Sequence, residues 1–228
     1  MDLQLRDQVV LVVGGAGYIG SVVTERFRQE GATTVVASRR ASDDLDSVVM
    51  DATDPVSVRS AIAGVVSTHG RIGALVVTAA PSAQTLDPAR SSEPEQILEA
   101  VDSKALAFLR VATEVIPNMR EAGYGRIVVI SGQNALVTGN ITGSVRNAAT
   151  IMVAKNLADE LAGTGIAVNA VNPGLVADDP PREVGIGRAG STSTQQVADL
   201  VAFLASPISG VSGESIAVGH RVRGVMSF

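Results

Sequence analysis

The chain has no cysteine and no tryptophan, and only 3% of its 228 residues are aromatic. Without cysteine it can form neither a disulfide nor a thiolate metal site. The two histidines, His69 and His220, lie far apart in the sequence and do not suggest a metal centre. So few aromatic side chains argue against a stacking surface for single-stranded nucleic acid. We therefore expect no bound metal and no nucleic-acid partner.

Positive charge and long apolar runs are also scarce. The formal net charge is -5, which argues against nucleic acid or an anionic membrane as the main partner. No apolar run approaches the roughly 20 residues of a membrane span. The N-terminal residues MDLQLRDQ are polar and acidic, unlike a signal peptide. Together these absences predict a cytoplasmic protein.

Apolar residues make up 46% of the chain, and short apolar runs alternate with longer helical segments. This alternation predicts one α/β domain over residues 1–228, with a doubly wound parallel sheet and helices on both faces. The predicted strands are Val9–Val13, Thr33–Ala37, Ser47–Met50, Ala74–Thr78, Arg126–Ser131, Ile166–Val171 and Ser215–Val218. The predicted helices are Ile19–Glu30, Pro55–Thr68, Glu93–Glu121, Ser144–Ala162 and Ser193–Ala205.

Three evenly spaced glycines, Gly14, Gly17 and Gly20, follow the first predicted strand. In a phosphate-binding turn the first permits the tight turn, the second lets the backbone approach a diphosphate, and the third lets helix and strand pack closely. The N–H groups at the start of the next helix would then face the anion. Glycine also marks ordinary turns, which is the alternative. The position between a strand and a helix favours a Rossmann-type dinucleotide site.

The second predicted strand is followed by Ser38, Arg39 and Arg40, with no acidic residue at its tip. In dinucleotide sites an acid here binds the ribose 2′-hydroxyl, whereas an arginine accepts a 2′-phosphate. A guanidinium suits a phosphate because it forms paired, charge-assisted hydrogen bonds. The arginine pair therefore favours NADP over NAD, and a solvated surface pair is the alternative.

Several segments, in the same order, resemble the short-chain dehydrogenase/reductase superfamily across nearly the whole chain. Besides the glycine run they are VVMDATDPVSV, GRIVVISG, LADELAGTGIAVNAVNPG, QQVADLVAFLAS and SGESIAVG. The resemblance implies a Rossmann domain in which Asp51 touches the adenine of the cofactor. The implied cofactor contacts are Gly14, Gly17, Tyr18, Ile19, Gly20, Ser38, Arg39, Arg40, Asp51, Ala52, Ala79, Pro173 and Gly174.

Members of this superfamily usually carry an Asn, a Ser, and a Tyr that lies four residues before a Lys. The resemblance implies that such a tyrosine donates or accepts the proton, while the lysine lowers its pKa and holds the ribose. This chain cannot supply the pair. Its tyrosines are Tyr18 and Tyr124, its lysines are Lys104 and Lys155, and neither lysine follows a tyrosine at that spacing.

Alignment on the LADEL segment places Gly143 at the tyrosine position and Asn147 at the lysine position. Lys104 falls at the position of the helical Asn, and the position of the Ser falls at Ser131 or Gly132. The adenosine end of the cofactor site is therefore expected to be kept, while the catalytic end is rebuilt.

Ser131 and Lys104 are the candidate catalytic residues. Ser131 ends a strand at the edge of the sheet where ligands bind in this architecture, and Lys104 would project toward the same place. A turn-forming serine and a solvated lysine are the alternatives. Gln133 and Asn134 follow Ser131 and could bind a polar substrate or form the turn.

Two further features concern the same region. Thr142 and Arg146 stand four residues apart, so on a helix they would share a face and combine a hydroxyl with a cation. Asp178 replaces the Thr that the family places after Pro173-Gly174 to bind the cofactor's carboxamide. A carboxylate near the diphosphate is electrostatically unfavourable.

Two functions remain open. The first is an NADP-linked oxidoreductase of carbonyl or alcohol groups whose proton donor is Ser131, Lys104 or water. The second is a nonredox protein on the same scaffold, either a cofactor-binding regulator or subunit, or an isomerase or cyclase. The loss of the usual acid/base residue, which contributes about 10²–10⁴ in rate, motivates the second. The expected partner is a small-molecule substrate of unspecified class.

Relatives dimerise through long helices that correspond here to Glu93–Glu121 and Ser144–Ala162, and often form tetramers through the C-terminal strand. The second of these segments is rich in apolar residues, including Met152 and Val153. We therefore expect a homodimer or homotetramer. The alternative is that these side chains face only the sheet.

Overall fold

A computed structural model describes residues 2–40, 46–80 and 86–224. Within these residues seven parallel strands form one sheet in the order β3-β2-β1-β4-β5-β6-β7. The strands are β1 Val9–Val13, β2 Thr33–Ser38, β3 Ser47–Val49, β4 Ala74–Val77, β5 Gly125–Ile130, β6 Ile166–Pro173 and β7 Ser215–Val218. The predicted parallel sheet is confirmed, and each predicted strand agrees to within two residues at either end.

The helices lie on both faces of the sheet, as a doubly wound fold requires. They are α1 Tyr18–Gln29, α2 Pro55–His69, α3 Pro94–Val101, α4 Ala107–Ala122, α5 Ile141–Glu160 and α6 Thr194–Leu204. Apolar side chains of α1 and α6 pack on one face, and those of α2, α4 and α5 pack on the other. Leu11 points to the second group while its neighbours Val10 and Val12 point to the first, since successive side chains of a strand alternate.

The predicted helical segment Glu93–Glu121 is confirmed, since residues 94–122 are helical without a break, but it is not one regular α-helix. Between α3 and α4 the residues Asp102–Leu106 form a π-helical turn. A π turn bonds each residue to the fifth one along and inserts an extra residue into the helix. The backbone hydrogen bonds continue through the π turn, so it needs no proline or glycine. The sequence therefore does not mark the change from α-helix to π-helix. The turn carries Lys104, which is buried.

Helix α5 begins at Ile141, three residues before the predicted start at Ser144. The Asn140 side chain accepts a hydrogen bond of 2.8 Å from the Gly143 N–H and so caps the helix. The earlier start places both Thr142 and Arg146 on the helix, where both side chains are buried.

Helix α5 also presents an apolar stripe at the surface. Ile141, Val145 and Met152 are exposed, and Met152 most of all at 59%. Their spacings of four and seven residues place them on one side of the helix. On α3, Leu98 is 69% exposed. These side chains do not face the sheet, whereas Val153 packs against the core, and the oligomeric state stays a prediction.

We expect the purified protein to be a dimer or tetramer, and the double variant L98E/M152E to have half that mass, because only the helix interface is lost. Two carboxylates in an apolar interface would have to be desolvated without a partner. Size-exclusion chromatography with light scattering measures the mass. The control is I186E, in the loop after β6, where Ile186 is 81% exposed and the mass should not change. A monomeric wild type contradicts the prediction.

Candidate active site

The glycine turn joins β1 to α1 where the order of strands reverses. Strand β1 lies between β2 and β4, so the turn opens on the crevice where open α/β sheets bind ligands. A Cβ atom on Gly14 would lie 2.7 Å from the Ala79 nitrogen, and one on Gly20 would lie 2.1 Å from the Gly14 carbonyl oxygen. Both atoms belong to the backbone, so only glycine fits at these two positions.

The N-terminus of α1 has the features of an anion site. Gly17 is its N-cap and, as glycine, brings no side chain that could bond to the N–H groups of the first turn. Tyr18, Ile19 and Gly20 form that turn. Free N–H groups and the positive end of the helix dipole point outward there. The turn therefore fits the diphosphate of a dinucleotide.

The residues expected at the adenosine end lie together at the same edge of the sheet. Arg39 and Arg40 follow β2, and Asp51 follows the neighbouring β3. The Asp51 carboxylate accepts hydrogen bonds from the Thr53 hydroxyl at 2.7 Å and the Thr53 N–H at 2.9 Å. These bonds, and then the positive charge of Arg39, lower the pKa of Asp51. Arg39 therefore acts on the residue expected beside the adenine.

A hydrogen bond joins the glycine turn to the loop after β6. The Tyr18 hydroxyl donates to the Asp178 carboxylate at 2.6 Å, and this bond is the main cause that raises the pKa of Tyr18. Both residues are exposed. The Asp178 carboxylate thus contacts the side chain of the first residue of α1.

Lys104 projects from the π turn toward the end of β5. Its Nζ donates to the Ser131 carbonyl oxygen at 3.0 Å and to Asn147 Oδ1 at 2.6 Å. The residue is only 6% exposed. Burial, and secondly the positive charge of Arg146, lowers the pKa of Lys104 to about 7. The amine can therefore gain or lose a proton near neutral pH, as a general acid/base must.

Ser131 has a different role from that of Lys104. Its hydroxyl donates to the Asn147 carbonyl oxygen at 3.0 Å, and the side chain is buried. The serine therefore fastens the end of β5 to α5. The predicted proximity of Ser131 to Lys104 is found, but it is the Ser131 carbonyl oxygen, not the hydroxyl, that contacts the amine.

The remaining polar candidates mostly bond within the fold. The buried Gln133 amide donates to the carbonyl oxygens of Val218 at 3.4 Å and His220 at 3.3 Å, so its part is structural. Asn134 is exposed. The Thr142 hydroxyl donates to the Ser91 carbonyl oxygen at 2.9 Å.

Tyr124 lies at the opposite end of β5 from Lys104 and cannot act beside it. Tyr124 precedes β5, whereas Ser131 follows it, and a six-residue strand spans roughly 20 Å. Burial raises the pKa of Tyr124. Tyr18 is bonded to Asp178.

Asn147 is the residue of this site to which the sequence assigned no role. Its side-chain oxygen bonds to Lys104 and its carbonyl oxygen bonds to Ser131. The alignment named the position but not the contact, because the two residues are 43 positions apart. In the part of the chain that the structure describes, no group of three or more acidic or histidine side chains could hold a metal ion, and no helix is long and apolar enough to cross a membrane.

The sequence profile of short chain dehydrogenases matches residues 8–184, from before β1 into the loop after β6. The chain therefore belongs to the short-chain dehydrogenase/reductase family, which is a family of oxidoreductases. It is 30% identical to the 3-oxoacyl-[acyl-carrier-protein] reductase FabG of Thermotoga maritima, over 95% of this chain and 98% of that protein. It is also 30% identical to dehydrogenase/reductase SDR family member 4 of Bos taurus, over 94% of this chain and 86% of that protein.

Solved structures show the same fold. The ligand-free aldohexose dehydrogenase of Thermoplasma acidophilum superposes with a TM-score of 0.82 at 25% identity, and the match covers 100% of this chain and 99% of that chain. The crystal structure of gox2181 gives a TM-score of 0.81 at 26% identity, over 95% of this chain and 96% of that chain.

We expect the G20A variant to bind NADPH about tenfold more weakly or worse, a loss of about 1.4 kcal/mol or more. The added Cβ would lie 2.1 Å from the Gly14 carbonyl oxygen, so the turn that presents the N–H groups must shift. Isothermal titration calorimetry measures the affinity.

The matched control is G64A in the middle of α2, where an added Cβ has no neighbour within 4 Å. Alanine is favoured over glycine in a helix by about 1 kcal/mol, so this variant should be slightly more stable and bind NADPH as the wild type does. If G20A binds as tightly as G64A, the glycine turn is not the diphosphate site.

Proposed function

We propose that the protein is an NADP(H)-dependent oxidoreductase of carbonyl and alcohol groups in which the Lys104 amine serves as the proton donor and acceptor. One observation carries the proposal: a buried amine lies at the end of β5 with neutral hydrogen-bond partners. Membership of an oxidoreductase family supports it. The 30% identity to a relative that is named as a reductase supports the direction of carbonyl reduction.

The cofactor would be held along the carboxyl edge of the sheet. The glycine turn would bind the diphosphate, Arg39 and Arg40 would bind the 2′-phosphate, and Asp51 would contact the adenine. When bound, the reduced nicotinamide supplies a hydride to the carbonyl carbon. The protein's own side chains would bind the substrate and transfer the proton.

This chain must supply the proton for carbonyl reduction without the tyrosine that the family usually uses. Reduction of a carbonyl to an alcohol requires a proton at the oxygen, and the ammonium form of Lys104 can donate it. In the reverse direction the neutral amine can accept the proton of the alcohol. A donor works best when its pKa lies near the operating pH, and burial lowers the pKa of Lys104 to about 7. Ser131 is less suited, because its hydroxyl proton is donated to α5.

We expect K104M to lower the rate of carbonyl reduction by about 10²–10⁴-fold, the usual contribution of a general acid, with unchanged NADPH affinity. The wild-type rate of reduction should fall as pH rises through about 7, the pKa to which burial lowers Lys104, because the donor loses its proton. Alcohol oxidation should rise over the same range, and K104M should lose both trends. NADPH absorbance with a panel of carbonyl compounds measures the rates.

The control is K155M, which removes the chain's other lysine. Lys155 is exposed on α5 and pairs with Asp159, so the rate and its pH dependence should not change. Wild-type protein that binds NADPH but oxidises it with no carbonyl compound contradicts the proposal and indicates a nonredox protein. If the rate of K104M depends on pH as the wild-type rate does, Lys104 is not the proton donor.

We expect R39A/R40A to lose about tenfold or more of the preference for NADPH over NADH, since each charge-assisted bond to a phosphate contributes about 1.5–3 kcal/mol. Calorimetry with both coenzymes measures the preference. The control R6A/R59A removes the same charge from two exposed arginines in the segment before β1 and on α2. Tighter binding of NADH than NADPH by the wild type contradicts the assignment.

A further inference from the structure

The Lys104 amine forms hydrogen bonds to two oxygen atoms from different elements of the fold. An ammonium group has three N–H donors, and a neutral amine keeps two of them and gains a lone pair. Two donors are used here, by the Ser131 carbonyl oxygen at 3.0 Å and by Asn147 Oδ1 at 2.6 Å. The proton that Lys104 gains or loses on titration is therefore the third one, which neither the Ser131 carbonyl oxygen nor Asn147 Oδ1 binds.

Asn147 is itself fixed in place. It is buried, and its carbonyl oxygen accepts the Ser131 hydroxyl. A Cβ on Gly132 would lie 3.1 Å from Asn147 Nδ2, so the glycine leaves room for the amide. While the amine is the donor, only the amide oxygen can face it, because an amide nitrogen cannot accept a hydrogen bond. The residue is thus joined to the end of β5 through its main chain and to the π turn through its side chain.

The charges around the amine come from several elements. Arg146 of α5 is the charged group that lowers the pKa of Lys104 after burial itself. Arg110 of α4 pairs with Asp102 of the π turn. The acidic side chains of α3, Glu95 and Glu99, are exposed. The end of β5 presents the neutral carbonyl oxygen of Ser131.

A neutral partner suits a group that must release its proton. A carboxylate within hydrogen-bond distance would stabilise the ammonium form strongly, because an opposite charge at close range favours the charged state. A carboxamide oxygen can orient the same amine without adding a charge.

We propose that Asn147 is the positioning residue of this site: its amide oxygen orients the Lys104 amine and, by being uncharged, keeps its proton exchangeable. The proposal rests on the proposed function for its catalytic meaning. The hydrogen bond and its effect on the amine can be tested without any substrate.

The test uses the fact that the chain contains only two lysines. In protein labelled with ¹³C at the lysine ε-carbon, NMR follows two resonances, and K155R identifies the one that belongs to Lys104. The variants are N147D, which has the same shape and adds a charge, and N147L, which removes the acceptor. We expect N147D to raise the midpoint of the Lys104 titration by about one pH unit or more, and N147L to lower it.

The matched controls are N156D and N156L. Asn156 lies on the exposed side of the same helix, where its amide donates to the Met152 carbonyl oxygen at 2.7 Å, and neither control should move the Lys104 midpoint. Circular dichroism and thermal melting establish that each variant folds. Should N147L fail to fold, N147D alone decides, because it keeps the size and shape of asparagine.

An unchanged Lys104 midpoint in folded N147D overturns the proposal. Carbonyl reduction gives a second measure: in N147D the fall in rate should shift to higher pH together with the NMR midpoint. A shift in the NMR midpoint without turnover in the wild type supports the role of Asn147 and rejects the proposed function. Turnover that depends on Lys104 with no NMR shift in N147D supports the function and rejects the role of Asn147.

Discussion

A parallel sheet with helices on both faces leaves little room for polar side chains in its central strands. All residues of β1 and β4 are buried and apolar, because each face is covered by a layer of helices. Side chains that bind or react must therefore collect where the strands end. The glycine turn follows β1, the two arginines follow β2, Asp51 follows β3, and Ser131 follows β5. Because the strand interiors are buried, polar residues from distant parts of the chain lie together at one edge of the sheet.

At the end of β5 a charged group, the Lys104 amine, is buried. An ammonium group that loses water must be compensated by hydrogen bonds or give up its proton. At Lys104 two neutral oxygens satisfy two donors, and Arg146 adds positive charge nearby. With these neighbours and its burial, the Lys104 amine can be either protonated or neutral near pH 7. The same features that make the lysine costly to bury make it suitable for proton transfer.

The glycine turn depends on the backbone more than on side chains. Gly20 and Gly14 approach so closely that no Cβ can be placed between them, and this contact sets where α1 begins. The bond from Tyr18 to Asp178 then joins this turn to the loop after β6. This edge of the sheet therefore has a direct contact between the glycine turn and the loop after β6.

The sequence by itself determined the layer structure, the order of elements and the glycine turn, because continuous apolar strands, helical segments and glycine spacing are local properties. It also established that the family's tyrosine–lysine pair is missing, since that follows from counting. It did not reveal the π turn at Asp102–Leu106, which leaves no local mark. Nor could it reveal that Ser131 turns its hydroxyl to α5 or that Asn147 holds Lys104. Those contacts join residues 16 and 43 positions apart, and only the packing of α5 and the π turn against the end of β5 decides them.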